Sequence, residues 1–579
     1  MTNQKKQLEE LFNRRKVFRA KSDERSKTEL EEVEGELAMI CAKENKELIE
    51  KELEGIDCEE GGTHSGRLWK LRKKLFPKSR EPPTAMLDQN GNLITDEDQI
   101  ENLALETYRK RLENRKIKAN LTQVKKDKER LCSLRLETAK KNTTPPWTME
   151  QLDEVLKYLK RNKSRDPSGY ANEIFRPEVA GQDLKLAILK LMNKIKTEQV
   201  YPQALEICDI TSIWKRKASS CDFDNYRGIF RLSVFRSILD RLIYNDEYNT
   251  IDSNLTDSNV GARKGRNIRD NIFVVNAIVN SVIKGKEEPI DAQLFDVEKC
   301  FDALWMEECI NDLYEAGLDN DKLNLLYIEN QNAQVAVKTP KGVSKRIDIR
   351  NIVMQGSVWG SLFCTTTMDK LGAQAYEDES LLYMYKGTVA VPPICMVDDI
   401  LCIQKCTNSV KSNSVINAFI ELKKLTLSKK KCKSIHIGKQ IRECADLKVH
   451  NQRMENSDSE KYLGDFIEKS GKLKATIADR VAKGYDIVSE IQAIINEVPL
   501  GQYKLEIGLK LRQAMLINGM LYNSEAWHAI TNDDITALQK VDEIFLRFLL
   551  NSQSKAPQEV LHLESGAIPK PLYSVMKRN

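Results

Sequence analysis

The chain is 579 residues long, 41% hydrophobic and 31% charged, and its 91 basic residues against 86 acidic ones give a formal charge of +5. Such a chain can bury a sizeable core in several domains. No apolar run reaches the length that spans a bilayer, which excludes a helical membrane protein, and no signal peptide opens the chain.

Residues 1–60 lack proline, are rich in Glu and Lys, and predict helix. Leu30, Val33, Leu37 and Ile40 make one short apolar seam before Gly61-Gly62, too few heptads for a stable coiled coil. Charge is uneven: residues 23–60 are acidic, whereas Lys70–Arg80, Arg109–Arg130 and Lys160–Arg165 are basic. Clustered positive charge fits a nucleic-acid channel; where Lys and Glu mix, at 109–130, a solvated helix face explains it equally well. Asp88-Gln89-Asn90-Gly91 signals a hairpin turn, and Thr95-Asp96-Glu97 caps the helix that follows. Ala292 to Phe295 predict a short core strand ending at Asp296, a position where open α/β layers present catalytic groups. From about Lys299 a helical period places Phe301, Leu304, Trp305, Cys309 and Leu313 on one face. Gln334–Lys338 and Val343–Ile349 predict a hairpin across Pro340-Lys341-Gly342.

Val391 to Ile403 read as strand, turn, strand, with Asp398-Asp399 at the tip. Two carboxylates held that close repel each other and resist desolvation, which a divalent cation between them and a substrate relieves. Hard cations such as Mg²⁺ take carboxylate oxygens and keep the rest of their shell for water and phosphate. On this segment alone an exposed turn containing two Asp is the plainer reading. Together with Asp296, the doublet is the carboxylate set of two-metal phosphoryl transfer, one cation at the attacking oxygen and one at the leaving pyrophosphate. The three are therefore expected to converge on one metal site. Beyond 470 amphipathic helices predominate, the last of them with Ile544, Phe545, Phe548 and Leu549 on one face. None of the 13 Cys forms Cys-x-x-Cys, Cys402 and Cys406 lack His partners, and the 5 His are isolated. No zinc site is expected, and the thiols read as reduced, intracellular and mostly buried.

Several motifs stand in a fixed order. Asp166-Pro167-Ser168-Gly169 comes with Glu173. Next are Trp214-Lys215-Arg216-Lys217 and Asn225-Tyr226-Arg227-Gly228-Ile229. Gly261-Ala262-Arg263-Lys264-Gly265-Arg266 comes with Asp270 and precedes Phe295-Asp296 through Phe301-Asp302. Met354-Gln355-Gly356-Ser357, Met396-Val397-Asp398-Asp399, Leu427 to Lys431 and Tyr462-Leu463-Gly464 complete the set. Over roughly residues 65–575 this ordered set resembles the reverse transcriptases of non-LTR retrotransposons, the LINE-like elements. The resemblance implies an α+β right-hand polymerase: a helical extension at 1–62, a helical region at 63–159, fingers at 160–290, an antiparallel-sheet palm at 291–470 and a helical thumb at 471–579.

It further implies an RNA-directed DNA polymerase that adds deoxynucleotides to a primer 3′-OH. Asp296, Asp398 and Asp399 would be catalytic, and with Val297 they would hold Mg²⁺ or Mn²⁺. Lys215 and Arg227 would clamp the triphosphate. Phe301 would be an aromatic gate under the nucleotide sugar, and Gln355-Gly356 would lie against the base pair. Lys431 would protonate the leaving pyrophosphate, and Tyr462-Leu463-Gly464 would grip the primer. RNA template, DNA primer or target and deoxynucleoside triphosphates follow as partners, in a ribonucleoprotein of nucleus or cytoplasm, with no membrane. Plainer readings stay open: a core phenylalanine at 301, a turn before a helix at 355–356, and solvated surface at 215 and 227. The chain departs from the family at Met396, where an aromatic is common, at Ser361, where many relatives carry Pro, and at Ser428, where Asn is usual. Neither the endonuclease nor the zinc knuckle of complete relatives is present, so a truncated copy is expected. Two other functions stay open, a catalytically silent RNA-binding scaffold on the same fold and a polymerase for another template, telomerase-like or maturase-like.

Overall fold

The computed structural model describes residues 83–88, 90–113, 122–215, 219–350, 353–439, 446–497, 504–528, 530–553 and 555–567, with Leu11, Glu29, residues 32–36 and Met39 nearer the start. Leu30, Leu37 and Ile40 of the apolar seam and the basic run at 70–80 lie outside the described residues, whereas Val33 is described and buried. One compact unit spans Arg80–Lys472; Leu473–Asn579 belongs to a second, with Met1–Ser79.

The principal strands of the first unit are β1 (Ile207–Trp214), β2 (Tyr226–Leu232), β3 (Ile290–Asp296), β4 (Asn332–Thr339), β5 (Ile347–Arg350), β6 (Ile394–Met396), β7 (Asp399–Lys405), β8 (Lys433–Ile437), β9 (Ser459–Tyr462) and β10 (Asp465–Glu468). They divide between two sheets and a hairpin. The first sheet runs β6-β7-β3-β8, all antiparallel, with Glu455–Asn456 on its far edge. Its central strand β3 is buried on both faces, so it reads as a run rather than an alternation. The second sheet runs β2-β1-β4, with β5 also on β4. The β9–β10 pair is the separate hairpin.

Helix α1 (Glu97–Glu113) starts where Asp96 accepts the Gln99 amide at 2.9 Å, and its Ile100, Ala104, Tyr108 and Leu112 pack on the second sheet through Ile210, Phe230 and Val335. The hairpin at 86–94 closes as its turn residues predict, Asp88 Oδ1 accepting the amides of Asn90 and Asn92 at 2.8 Å. Helix α2 (Ile268–Ile283) covers one face of the first sheet with Val275, Ile278, Val279 and Val282. Its other face carries the largest core, which joins Phe295, Val297 and Ile400 to helices α3 (Cys300–Ala303), α4 (Met306–Glu315) and α5 (Val358–Glu377). Each aliphatic side chain so buried contributes about 1.5–3 kcal/mol, enough to hold the strand ends rigidly.

Three elements differ from expectation. The helix after Asp296 is broken into α3 and α4, because Leu304 (ψ 140°) and Trp305 (ψ 127°) are extended. The break buries both side chains and sets the Trp305 ring 4.7 Å from the Lys125 ammonium and 4.8 Å from that of Lys424. The hairpin across 340–342 forms, but it joins the second sheet rather than the antiparallel sheet of the 291–470 segment. β4 runs parallel to β1, with Ile210 opposite Val337, and so completes the core beneath α1. In the second unit the last long helix, α6 (Asn532–Leu550), buries Leu538, Val541, Phe545, Leu546 and Leu549, whereas Ile544 is 42% exposed. The stripe follows the row 538, 541, 545, 549, which leaves position 544 about 100° away. Among the described residues no helix is long and apolar enough to cross a membrane.

Candidate active site

Antiparallel pairing of β3 with β7 sets Asp296 directly opposite Asp399. Met396 pairs with Asp399, so a two-residue turn, Val397-Asp398, joins the strands and carries Asp398 at its tip. Val397 has φ +60°, an uncommon conformation for a β-branched residue. Asn259 holds it there: Nδ2 donates to the Val397 carbonyl at 3.1 Å, and the Val397 amide donates to Oδ1 at 3.0 Å. Residues 258–260 run along β6 like an added strand, the Cys395 amide donating to the Ser258 carbonyl at 2.8 Å and the Val260 amide to the Cys395 carbonyl at 3.2 Å. A Cβ on Gly261 would stand 2.5 Å from the Val397 nitrogen, so glycine is needed for that approach. Asn259 carried no signal in the sequence: it sits two residues before the Gly261 motif, in no period and no recognisable pair.

A short segment after Thr426 lies along 296–298. The Glu298 amide donates to the Thr426 carbonyl and the Ser428 amide to the Asp296 carbonyl, both at 2.8 Å, and Val297 bridges to Leu427. That seat aims Lys431 at Asp296, its Nζ 3.0 Å from Oδ2 and 3.2 Å from Oδ1. The bond from residue 428 is made by its backbone amide, so the serine side chain, where the family pattern has Asn, takes no part in it. Val297, expected to lend a metal ligand, is buried and bridged in the same strip. Asp398 is half-buried, and burial, then the charges of Asp399 and Asp296, push its carboxyl up to about 6, against the pull of Lys431.

The three carboxylates therefore share one strand end. Their oxygens do not all close to within 4.8 Å of one another; among the described residues the group that does is Asp291, Cys406 and His436. Asp296 is turned toward Lys431 instead. The other group lies at the opposite end of β3, and it corrects the expectation that Cys406 has no His partner: its Sγ is 3.6 Å from His436 Nδ1, itself 3.0 Å from Asp291 Oδ1. Asp291 also accepts the Ser409 hydroxyl at 2.5 Å, and His436 Nε2 is buried with no hydrogen-bond partner. The trio thus gathers three polar side chains at this strand end.

Phe301 lies on α3, half-buried against the large core. Gln355 accepts the Phe230 amide on its carbonyl at 2.9 Å, and Gly356 (φ +124°) is pressed on β2, where a Cβ would stand 2.8 Å from the Phe230 carbonyl oxygen. This glycine is required by its own chain, whatever lies beyond it. Gly356→Ala is accordingly expected to cost about 2–4 kcal/mol from strain and the backbone clash; urea unfolding with unchanged stability would contradict this.

Arg227 is exposed on β2, opposite Ile213. Lys215 donates from Nζ to the Asp224 carbonyl at 2.9 Å, and its pKa is lowered by burial and then by Arg111, Lys299, Arg227 and Lys431 nearby. Arg216 and Lys217 lie outside the described residues. Leu463 (φ +47°) and Gly464 (φ +101°) form the two-residue turn between β9 and β10, while Tyr462 is buried and donates its hydroxyl to the Ile394 carbonyl at 3.4 Å, on the strand that leads to the doublet. One residue in each of two further motifs is buried and holds backbone in place. Asp166 is buried and accepts the amides of Ser168, Tyr170 and Val234. Arg263 is buried too and bonds Asp252 at 2.7 Å and the Asn259 carbonyl at 3.2 Å.

Residues 215–465 match the family profile described as Reverse transcriptase (RNA-dependent DNA polymerase). No curated protein matches the chain. Solved structures similar to it include apo telomerase from Candida tropicalis truncated from the C-terminal domain, at 14% identity and TM-score 0.33, covering 47% of this chain and 55% of that one. Another is telomerase from Candida albicans with a fragment of telomeric RNA, at 12% identity and TM-score 0.36, covering 64% and 68%. The chain thus spans about half the length of the first of these.

Proposed function

We propose that the chain is an RNA-directed DNA polymerase that extends a primer 3′-OH by phosphoryl transfer, of the non-LTR retrotransposon type. The observation that carries the reading is Asp296 opposite Asp399 with Asp398 on the adjoining turn, inside the segment that matches the reverse-transcriptase profile. In this reading the first sheet is the palm, the second sheet with its helices the fingers, and 471–579 the thumb. The ordered Gly261–Arg266 and Tyr462-Leu463-Gly464 motifs favour the retroelement type.

The donor set is three hard carboxylates at one strand end, where burial and then the charges of Asp399 and Asp296 push Asp398 up to about 6, and it fits Mg²⁺ or Mn²⁺. Asp296, Asp398 and Asp399 would hold the cations, which when bound activate the attacking oxygen and offset charge on the pyrophosphate. The chain's own residues do the rest. Lys215 and Arg227 bind the triphosphate, Phe301 stands under the sugar, and Lys431, already at Asp296, hands a proton to the leaving pyrophosphate. Lys160, Lys163 and Arg241 line a cleft of about 330 Å³ that ends at Gly356, and the Tyr158 ring there is 57% exposed with the Arg241 guanidinium 5.4 Å above it. Cations beside an exposed ring suit a single-stranded template.

The site also predicts a pH dependence. Asp398 is protonated below about 6, so a cation must displace a proton there, and the half-saturating Mn²⁺ concentration is expected to rise as pH falls through 6. Without metal the sign is opposite. Between about 4 and 6 the folded chain binds a proton that the unfolded chain does not, so stability falls as pH rises across that window. A flat metal affinity between pH 5 and 7.5 would contradict the assignment. Primer extension on matched RNA and DNA templates, each deoxynucleotide withheld in turn, tests the function. Templated extension on RNA supports it; tight RNA binding with no extension in either metal favours the silent scaffold.

A further inference from the structure

Lys299 lies three residues after Asp296 with φ +48°, and its Nζ is 2.8 Å from Asp224 Oδ1. The same oxygen receives the Arg111 guanidinium at 2.9 Å, and Lys215 Nζ donates to the Asp224 carbonyl at 2.9 Å. Three cations thus gather on one aspartate, in the loop between β1 and β2. Arg111 comes from α1, outside the segment that matches the family profile. It is fixed in place: its side chain is 6% exposed, its guanidinium donates to the Phe223 carbonyl, and it lies 5.1 Å from the Tyr108 ring centre. Lys299 is different, with a side chain 45% exposed on a pair whose aspartate is 61% exposed. Such an exposed ion pair is weak and easily exchanged. Lys110, Arg111 and Lys299 line one cleft of about 530 Å³ together with the carboxylates of Glu106, Asp224, Glu298 and Asp302. Arg227 and Lys431 add their fields to this group, as the lowered pKa of Lys215 reflects after its burial.

The Asp224 carboxylate holds Lys299 and Arg111 and its carbonyl holds Lys215, a set of donors converging on adjacent oxygens that the oxygens of a triphosphate can match. We propose that Asp224 is an internal stand-in for a nucleotide phosphate, and that the incoming nucleoside triphosphate takes Lys299 from it, with Arg111 completing the seat. Lys299 is then a phosphate-binding residue and Asp224 a competitor that keeps it over the cleft until nucleotide arrives. The inference rests on the polymerase reading and adds to it a helix from before the matched segment.

Steady-state nucleotide incorporation by the full chain on a primed RNA template tests it. Lys299→Ala is expected to raise the nucleotide KM about tenfold, the loss of one charge-assisted contact, with kcat changed less than about twofold. Asp224→Asn is expected to lower KM about threefold by freeing the lysine, and the double variant to show none of that gain. Equal rises in KM for both single variants, or no change in either, overturn the proposal, since a merely structural pair gives those results. If the unmodified chain extends no primer, the polymerase reading fails on its own. The seat is then read from calorimetric binding of inorganic tripolyphosphate to the full chain. Weakening by Lys299→Ala with strengthening by Asp224→Asn upholds it, and equal binding by all three proteins overturns it.

Discussion

Asp398→Asn is expected to reduce primer extension by about a thousandfold or more while leaving RNA affinity nearly unchanged. The substitution keeps size and shape and deletes one charge from the tip of the β6–β7 turn. Phosphoryl transfer depends on positioning and on charge stabilisation, and loss of one such group removes about 4 kcal/mol, which is about a thousandfold in rate. RNA affinity rests on the basic residues, so it persists and still weakens steeply with salt. The fold is expected to survive, because the change removes a like charge that now pushes against Asp399 and Asp296. Single-turnover extension beside filter binding across a salt series reads both quantities. Equal loss of both would assign Asp398 to folding instead of chemistry.

Phe301→Ala is expected to raise ribonucleotide incorporation relative to deoxynucleotide by about ten- to a hundredfold, a discrimination of about 1.4–3 kcal/mol. The side chain is half-buried at the start of α3, so part of it belongs to the core and part faces out. A fully buried Phe→Ala costs about 3–5 kcal/mol of stability, and a half-buried one is expected to cost about half as much. The ratio of kcat/KM for the two sugars, read together with the thermal midpoint, separates the two roles. A lowered midpoint with an unchanged sugar ratio would make Phe301 a core residue only.

Much of the carboxylate site was legible because its signals are local. Asp296 closes a run of core-strand residues, and Asp398-Asp399 interrupts two others, so short-range pattern alone put both at strand ends. Lys431 was singled out by the resemblance of Ser428 to Lys431 to the family's Asn-x-x-Lys motif, and the structure sets it beside Asp296, the backbone of Ser428 bonding the Asp296 carbonyl. The residues that were missed act at long range. Asn259 reaches the doublet across 138 positions of sequence, and Arg111 reaches Asp224 across 113; neither has a local pattern. The fold shows the same division. The hairpin across 340–342 was readable, but its pairing with β1 depends on a strand more than a hundred residues earlier, which no hydrophobic period reports. The break at Leu304-Trp305 was hidden because both residues fit the apolar face of a continuous helix. Ile544 was placed on the buried stripe because isoleucine is apolar, whereas packing chose the row through Val541 and Phe545.

The central claim is that Asp296, Asp398 and Asp399 act as one metal site. Mn²⁺ binding followed by electron paramagnetic resonance in the presence of primed template and nucleotide measures it directly. The account predicts protein-bound Mn²⁺ in the unmodified chain, its loss in Asp296→Asn and in Asp398→Asn, and its retention in His436→Ala at the far end of β3. Bound Mn²⁺ that survives both aspartate substitutions, or that disappears with His436→Ala, would contradict it.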